Sequence, residues 1–402
     1  MATRTPTIEF RRLVQVPPAE VFRALTRPSL LRDWMCQDAV ADARKGGRLY
    51  LWWSSGYSAS GEFTAVDADK KLTFTWLGKK DPGPSRVTIT LAAQDGGTEI
   101  RVRQTPPGRG PAAARAARAL TSLWDAALVN LQSLLETGED LRYTRRPMLG
   151  VNVGVFGPEE ASKLGVPVKE GVRLDGVVSG MGAEGAGLGK DDVVVSIGGR
   201  PVRGWSSLAP TLGRFRAGDA VPVVFYRGPE KRMTTMTLSG RRLPVIPPEP
   251  KALAAELRRI DQVLIQELRD SLRGISDEDV GRRPGPGEWS AKHVLAHLIA
   301  GERDSHGWMA EVLEADDPLE SPGNVAARID AMVDTFGTAE ALLEELERNY
   351  AITARMVELL PPQAVARKQD FWKIGHNLLQ PEDHVRGHIQ QMLAAVKAAT
   401  GA

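Results

Sequence analysis

The chain is poor in cysteine: Cys36 is the only one in 402 residues. An intramolecular disulfide is thereby excluded, and the residue reads as a small half-buried hydrophobe in a reducing compartment. No histidine precedes His293 and no Gly-x-Ser-Gly-type segment occurs, so the front of the chain cannot assemble a Ser-His-Asp protease. No apolar run approaches the roughly 20 residues needed to span a bilayer. The opening MATRTPTIEFRRLV has neither an apolar h-region nor a small-residue cleavage pattern. A cytoplasmic protein without a membrane span is expected. Lys/Arg clusters with interleaved aromatics are also missing, and a nucleic-acid partner is not expected.

What is present is an ordinary globular composition, 42% hydrophobic and 25% charged, in a chain long enough for two to four cores. The net charge of +2 hides an asymmetry. Residues 1–143 carry +5, residues 144–242 carry +6 and residues 243–402 carry −9. Two seams divide the chain. A helical pattern stops at Glu136-Thr137-Gly138, and a polar stretch then ends in Arg145-Arg146-Pro147. Further on, RRLPVIPPEP holds four prolines, which cannot sustain a helix or an inner strand. The expected organisation is a first domain over 1–143, a second over 144–242, a stiff linker over 243–250 and a third domain over 251–402.

In the first domain, strand-like runs at Ile8–Val14, Arg48–Trp53, Gly61–Val66, Lys71–Trp76, Arg86–Leu91 and Glu99–Gln104 alternate with turns. A helix begins in PPAEVFRALT with proline in its first turn. Between Ala113 and Leu135 the apolar residues Leu120, Leu123, Trp124, Ala127, Leu128, Leu131, Leu134 and Leu135 recur at helical spacing. A curved antiparallel sheet around one long helix satisfies this pattern. The opening strand, VPPAEVFRALTRPSLLRDWM, the Gly46-Gly47 turn and the closing WDAALVNLQSLLE resemble the START-like (SRPBCC, helix-grip) superfamily. Within it they are most similar to domains related to the Aha-type activator of the ninety-kilodalton heat-shock chaperone. The resemblance implies an interior that can enclose a small apolar ligand, with Trp34, Trp52, Trp53, Trp76 and Trp124 as the aromatics to line it. Large aromatics are first of all core residues.

The second domain reads as β-rich. MLGVNVGV, GVRLDGVVSG and DDVVVSIGGRPV are strand segments, AVPVVFYRG and RMTTMTLSG form a terminal pair, and Ser206–Phe215 is a short helix. Together with EEASKLGVPVKEGVRLDGVV and AEGAGLGKDDVVVSIGGRPV, these pieces resemble a PDZ domain of the bacterial HtrA type. The resemblance implies strand addition of a partner's C-terminal peptide. Met148, Leu149 and Gly150 would hold its carboxylate, Val151 and Val153 would begin the receiving strand, and Leu208 and Leu212 would wall the groove. Asp191-Asp192 stands where the family has Gly-Asp, so a non-glycine residue must accept that turn.

The third domain is helical in pattern. Leu253, Leu257, Ile260, Leu264, Leu268 and Leu272 form an amphipathic stripe. Further helices are expected from Ser290 to Leu313, Ala339 to Leu360 and Pro381 to Lys397, which makes a four-helix bundle. All six histidines lie here: His293, His297, His306, His376, His384 and His388. His384 and His388 are four apart, so their rings project from one helix face. GEWSAKHVLAHL and, much later, EDHVRGHIQQM resemble the DinB-like bundle family. That resemblance implies His297, His384 and His388 as metal ligands, with Zn²⁺ or Ni²⁺ suited to three neutral imidazoles and a low-molecular-weight thiol as a further cofactor. His293 is read as a surface or second-shell residue, and His306 and His376 as solvent-facing or loop residues. Glu302 and Asp383 are candidate bases only by their proximity in sequence.

The fold expected is thus multi-domain α+β: a helix-grip sheet with a long helix, then a β-rich PDZ domain, then an all-α four-helix bundle. Two functions fit. One is an adaptor that binds a C-terminal peptide and holds an apolar ligand, with a structural metal in the bundle. The other is a metal-dependent transferase, isomerase or hydrolase acting on thiol conjugates or small electrophiles.

Overall fold

The computed structural model describes residues 7–106, 108–241, 243–314 and 323–401. The first part opens with β1 (Ile8–Val14), α1 (Pro18–Thr26) and α2 (Pro28–Trp34). The strands β2 (Asp38–Ala41), β3 (Arg48–Trp52), β4 (Ser58–Asp67), β5 (Lys71–Gly78), β6 (Ser85–Gln94) and β7 (Gly97–Gln104) follow, and α3 (Gly110–Thr137) closes the part. The sheet order is β1-β7-β6-β5-β4-β3-β2, antiparallel throughout. Alternation sets the inner face: Leu49 and Leu51 of β3 are buried while Arg48, Tyr50 and Trp52 face outward. Buried Leu120, Trp124, Leu128 and Leu131 of α3 pack in the same core as Phe63, Phe74 and Ile89 of the sheet. This is the expected helix-grip arrangement. Two short elements were not anticipated from the pattern, β2 and α2, both too brief to show a period.

In the middle part, α4 (Leu141–Thr144), β8 (Val151–Gly154), α5 (Pro158–Leu164), β9 (Val172–Val177) and α6 (Gly182–Gly185) come first. They are followed by β10 (Val193–Ile197), β11 (Arg200–Pro201), α7 (Trp205–Leu212), β12 (Ala220–Arg227) and β13 (Glu230–Thr237). The antiparallel sheet runs β13-β12-β10-β9-β8, with β11 beside β10. Asp191 has φ +66°, so the turn before β10 does require the left-handed region. Its carboxylate accepts a hydrogen bond from Arg173 at 2.9 Å, an interaction glycine could not make. The adjoining Asp192 is fully buried and accepts two hydrogen bonds from Arg227 at 2.8 Å.

The last part is helical: α8 (Pro250–Ser271), α9 (Asp277–Gly281), α10 (Ala291–Glu314), α11 (Ala326–Phe336), α12 (Ala339–Glu358), α13 (Pro362–Ala366), α14 (Lys368–Leu378) and α15 (Pro381–Thr400). The long helices α8, α10, α12 and α15 supply most of one core, which includes the predicted stripe Leu253, Leu257, Ile260, Leu264, Leu268 and Leu272. No helix among the described residues is long and apolar enough to cross a membrane.

Where the sequence suggests three successive modules, the chain forms two compact units. Residues up to Glu139 join those from Pro244 onward, and Asp140–Leu243 forms the other unit. The element that joins the two ends is α14. Asp370 meets Arg23 at 3.1 Å, with only 5% and 10% of their side chains exposed. Arg367 meets Glu20 at 3.3 Å and Lys373 meets Asp33 at 3.1 Å. Burial pushes the Asp370 carboxyl up, against the opposing pull of Arg23, Arg367 and Lys373.

Gly138 serves two ends at once. It terminates α3 in the left-handed conformation, φ +84°, and a Cβ there would lie 2.3 Å from the Lys368 carbonyl oxygen and 2.4 Å from Trp372 Cβ. Gly138→Ala should therefore destabilise this unit by about 2 kcal/mol or more, measured by denaturant unfolding; an unchanged midpoint would refute the close approach.

Candidate metal centre

The three histidines expected to share a metal lie close together. His297 stands on α10 and His384 and His388 on α15, and one ring nitrogen from each lies within 4.8 Å of the other two. His384 Nε2 and His388 Nε2 are 3.2 Å apart. Two nitrogens on a tetrahedral zinc at about 2.05 Å would be roughly 3.3 Å apart, close to this one separation, which is also a hydrogen-bond distance between the two rings. The ring centroids of His297 lie 5.9 Å from His384 and 4.8 Å from His388.

Outer contacts orient two of the rings. His297 Nδ1 is 2.7 Å from Asn324 Oδ1, and His388 Nδ1 is 2.8 Å from Gln391 Oε1. An amide oxygen only accepts, so each Nδ1 carries the proton and each Nε2 keeps its lone pair. The Trp289 ring tilts against His297, 5.4 Å between centroids. Burial holds the pKa values of His297 and His384 below the ordinary histidine value, and the neighbouring imidazoles reinforce the shift in both. Neutral donors are what a divalent ion requires. Gln391 lies three residues after His388, within the segment EDHVRGHIQQM. Asn324 carries no pattern that would mark it.

The other histidines differ from expectation. His293 is 5% exposed, not a surface residue: its Nδ1 lies 2.6 Å from Ser290 Oγ and its Nε2 2.6 Å from Arg283. The same Nε2 lies 3.1 Å from Asp330 Oδ1; burial and Arg283 lower the pKa of this ring, against the opposing pull of Asp330. His306 is half-buried, with Nε2 2.8 Å from Thr353 Oγ1. His376 stacks on Trp372 at 4.5 Å with the planes 8° apart. The side chain of Asp383 lies outside the described residues. Glu302 is not beside the ligands but accepts a hydrogen bond from Thr353, as part of an interior polar group.

That group was not anticipated, since Asp261 and Glu302 interrupt otherwise apolar helix faces. Burial, with Glu302 beside it, pushes Asp261 up to about 7. Burial raises Glu302 as well, and burial with both carboxylates drives the Tyr350 hydroxyl far up.

In the helix-grip interior, Trp34, Trp76 and Trp124 are 2%, 1% and 1% exposed. The space they share with Leu25, Leu31 and Phe63 is about 20 Å³, room for about one water. These residues pack as core. Trp53 sits at the rim, donating to the Met35 carbonyl at 2.8 Å, and Trp52, 38% exposed, lies on the outer face instead of lining the interior.

In the middle part, Met148 exchanges both backbone hydrogen bonds with Ser239, which removes its amide from any carboxylate loop. The Leu149 and Gly150 amides have no partner among the described hydrogen bonds. Gly150 has φ +77°. Val151 and Val153 lie on the edge strand β8; Leu208 is buried in the local core and Leu212 packs against it.

The sequence agrees with these geometries. Residues 15–136 match the family model described as Activator of Hsp90 ATPase homolog 1-like protein, and residues 259–394 match that of the DinB superfamily. The chain carries an Aha1-like domain and a DinB-like domain. Among solved structures, protein MLL2253 from Mesorhizobium loti is 30% identical over 32% of this chain and 96% of its own, with a TM-score of 0.30. The Aha1 dimer from Colwellia psychrerythraea is 17% identical over 33% and 98%, TM-score 0.30. PFC0360w, an HSP90 activator from Plasmodium falciparum, is 24% identical over 32% and 95%, TM-score 0.27. No curated protein matches the chain. The three-histidine cluster lies within the DinB-like domain.

The Asp261 shift has a definite sign. The folded chain binds this proton more tightly than the unfolded one, so the contribution is full below about pH 4 and is lost as pH rises toward 7. Compared with wild type, Asp261→Asn should gain about 1–2 kcal/mol of stability between pH 4 and pH 8. Denaturant titrations at both pH values measure it, and a pH-independent gap between the two proteins would contradict the assignment.

Proposed function

We propose that the DinB-like domain binds one divalent ion through His297, His384 and His388 and works as a metal centre with a coordination position open to a small ligand. The observation that carries this is the convergence of three imidazoles, two of them with Nδ1 against an amide oxygen. Structural zinc sites close with four protein ligands, whereas catalytic ones hold three and leave room for water or substrate. A zinc or nickel ion there would supply Lewis-acid activation of a bound water or of a thiolate. The residues of this chain do the rest: Asn324 and Gln391 hold the rings in register, and Trp289 shields His297 on one side. The reading favours a metal-dependent reaction of small electrophiles with a low-molecular-weight thiol or with water.

Metal analysis of the purified chain should find about one divalent ion per molecule, lost in His384→Ala. Addition of a small thiol to the Co²⁺-substituted protein should produce a sulfur-to-metal charge-transfer band. Wild-type protein without stoichiometric metal would overturn the proposal.

A second reading concerns the middle domain. The two free amides of Leu149 and Gly150, beside the edge strand that starts at Val151, suit a carboxylate and an added strand. This supports a PDZ-like domain that recruits a C-terminal peptide to the same chain. Full-length protein should select sequences from a C-terminal peptide library, with amidated termini binding at least about tenfold more weakly; absence of selection would remove this reading.

A further inference from the structure

We propose that α14 is a strut through which the Aha1-like domain sets where His384 and His388 stand; the metal part of this inference rests on the function proposed above. One side of α14 is fixed to the first domain. Arg367, Asp370 and Lys373, three residues apart, pair with Glu20, Arg23 and Asp33, and Lys368 and Trp372 lie against Gly138 at the end of α3. Its other side belongs to the bundle, where Phe371, Ile374 and Leu378 are part of the core. Only Leu379 and Gln380 separate α14 from α15. Leu379 is buried, its amide bonds the Gly375 carbonyl at 3.0 Å, and Gln380 bonds the His376 ring. His384 comes one turn later.

The helices that grip α14 also wall the first domain's interior. Leu25 of α1 and Leu31 and Trp34 of α2 line the small space beside Trp76 and Trp124. Glu20, Arg23 and Asp33 on the same two helices hold α14. A packed interior is stiff, so displacement of α1 or α2 is passed to α14 and on to the first turn of α15. The ligand pair on α15 thus takes a second reference from the first domain through α14, beside the bundle core that α15 shares with α10.

Hydrogen exchange on the full-length, metal-free chain tests this. Lys373→Asp and Asp33→Lys should each speed amide exchange across residues 381–390 about tenfold while α8 and α12 exchange as in wild type. The combined charge swap should restore the wild-type rate. In the same proteins Co²⁺ affinity should fall in each single variant and recover in the swap. Unchanged exchange at 381–390, or equal acceleration in α8 and α12, would overturn the strut. Should wild type bind no Co²⁺ while exchange responds as described, the strut stands and the metal reading fails. Should all four proteins bind Co²⁺ equally with exchange unmoved, the reverse holds.

Discussion

The packing of α10 beside α15 is the constraint on which the bundle's chemistry depends. Val294, Leu295 and Ile299 on the first helix and Val385, Ile389 and Met392 on the second lie in one core. Burial of these side chains fixes the separation and rotation of the two helices. His297 and the His384–His388 pair fall at the margin of that seam, half-buried or exposed, where an ion can reach them. Apolar packing supplies the geometry, and the imidazoles need only be placed upon it. Desolvation at the same margin lowers the pKa of His297 and His384.

Much of this was legible in the sequence because it is periodic. Strands β1 and β3 to β7, the long α3 and the stripes of α8, α10, α12 and α15 all repeat an apolar spacing over enough residues to declare themselves. The grouping of the three histidines was legible from the four-residue step between His384 and His388 together with the bundle resemblance. What escaped was short or tertiary in origin. Helix α14 spans 11 residues and carries charges that look solvated until Arg23, Glu20 and Asp33 are seen opposite them. His293, open in the sequence between a surface and a second-shell place, is buried by partners distant in the chain, Arg283 and Asp330. Trp52 and Trp53 show the limit of composition: Trp52 ends β3 on its outward face, while Trp53, just past the strand, packs against the core.

The interior of the first domain and that of the bundle represent two ways of treating polar atoms in a core. In the first, each indole nitrogen finds an oxygen: Trp34 donates to the Ala24 carbonyl at 2.9 Å, Trp124 to Gln104 at 2.7 Å and Trp76 to the Tyr57 hydroxyl at 3.2 Å. The three buried indoles are thereby satisfied. The bundle instead confines Asp261, Glu302 and Tyr350 near one another at raised pKa values. Such an arrangement costs stability near neutral pH, and helices held by a large apolar core can tolerate that cost.

Arg23 and Asp370 are 347 residues apart in the chain and nonetheless form the most enclosed ion pair of the joined ends. Synthesis from the ribosome runs in one direction, so the first domain emerges well before its counterpart exists. For that interval Glu20, Arg23 and Asp33 face water, and Gly138 ends a helix against nothing. Closure across so long a loop comes after the local folding of each end. The nascent chain therefore passes through a stage in which its opening domain is complete in topology but lacks the neighbour that covers one of its faces.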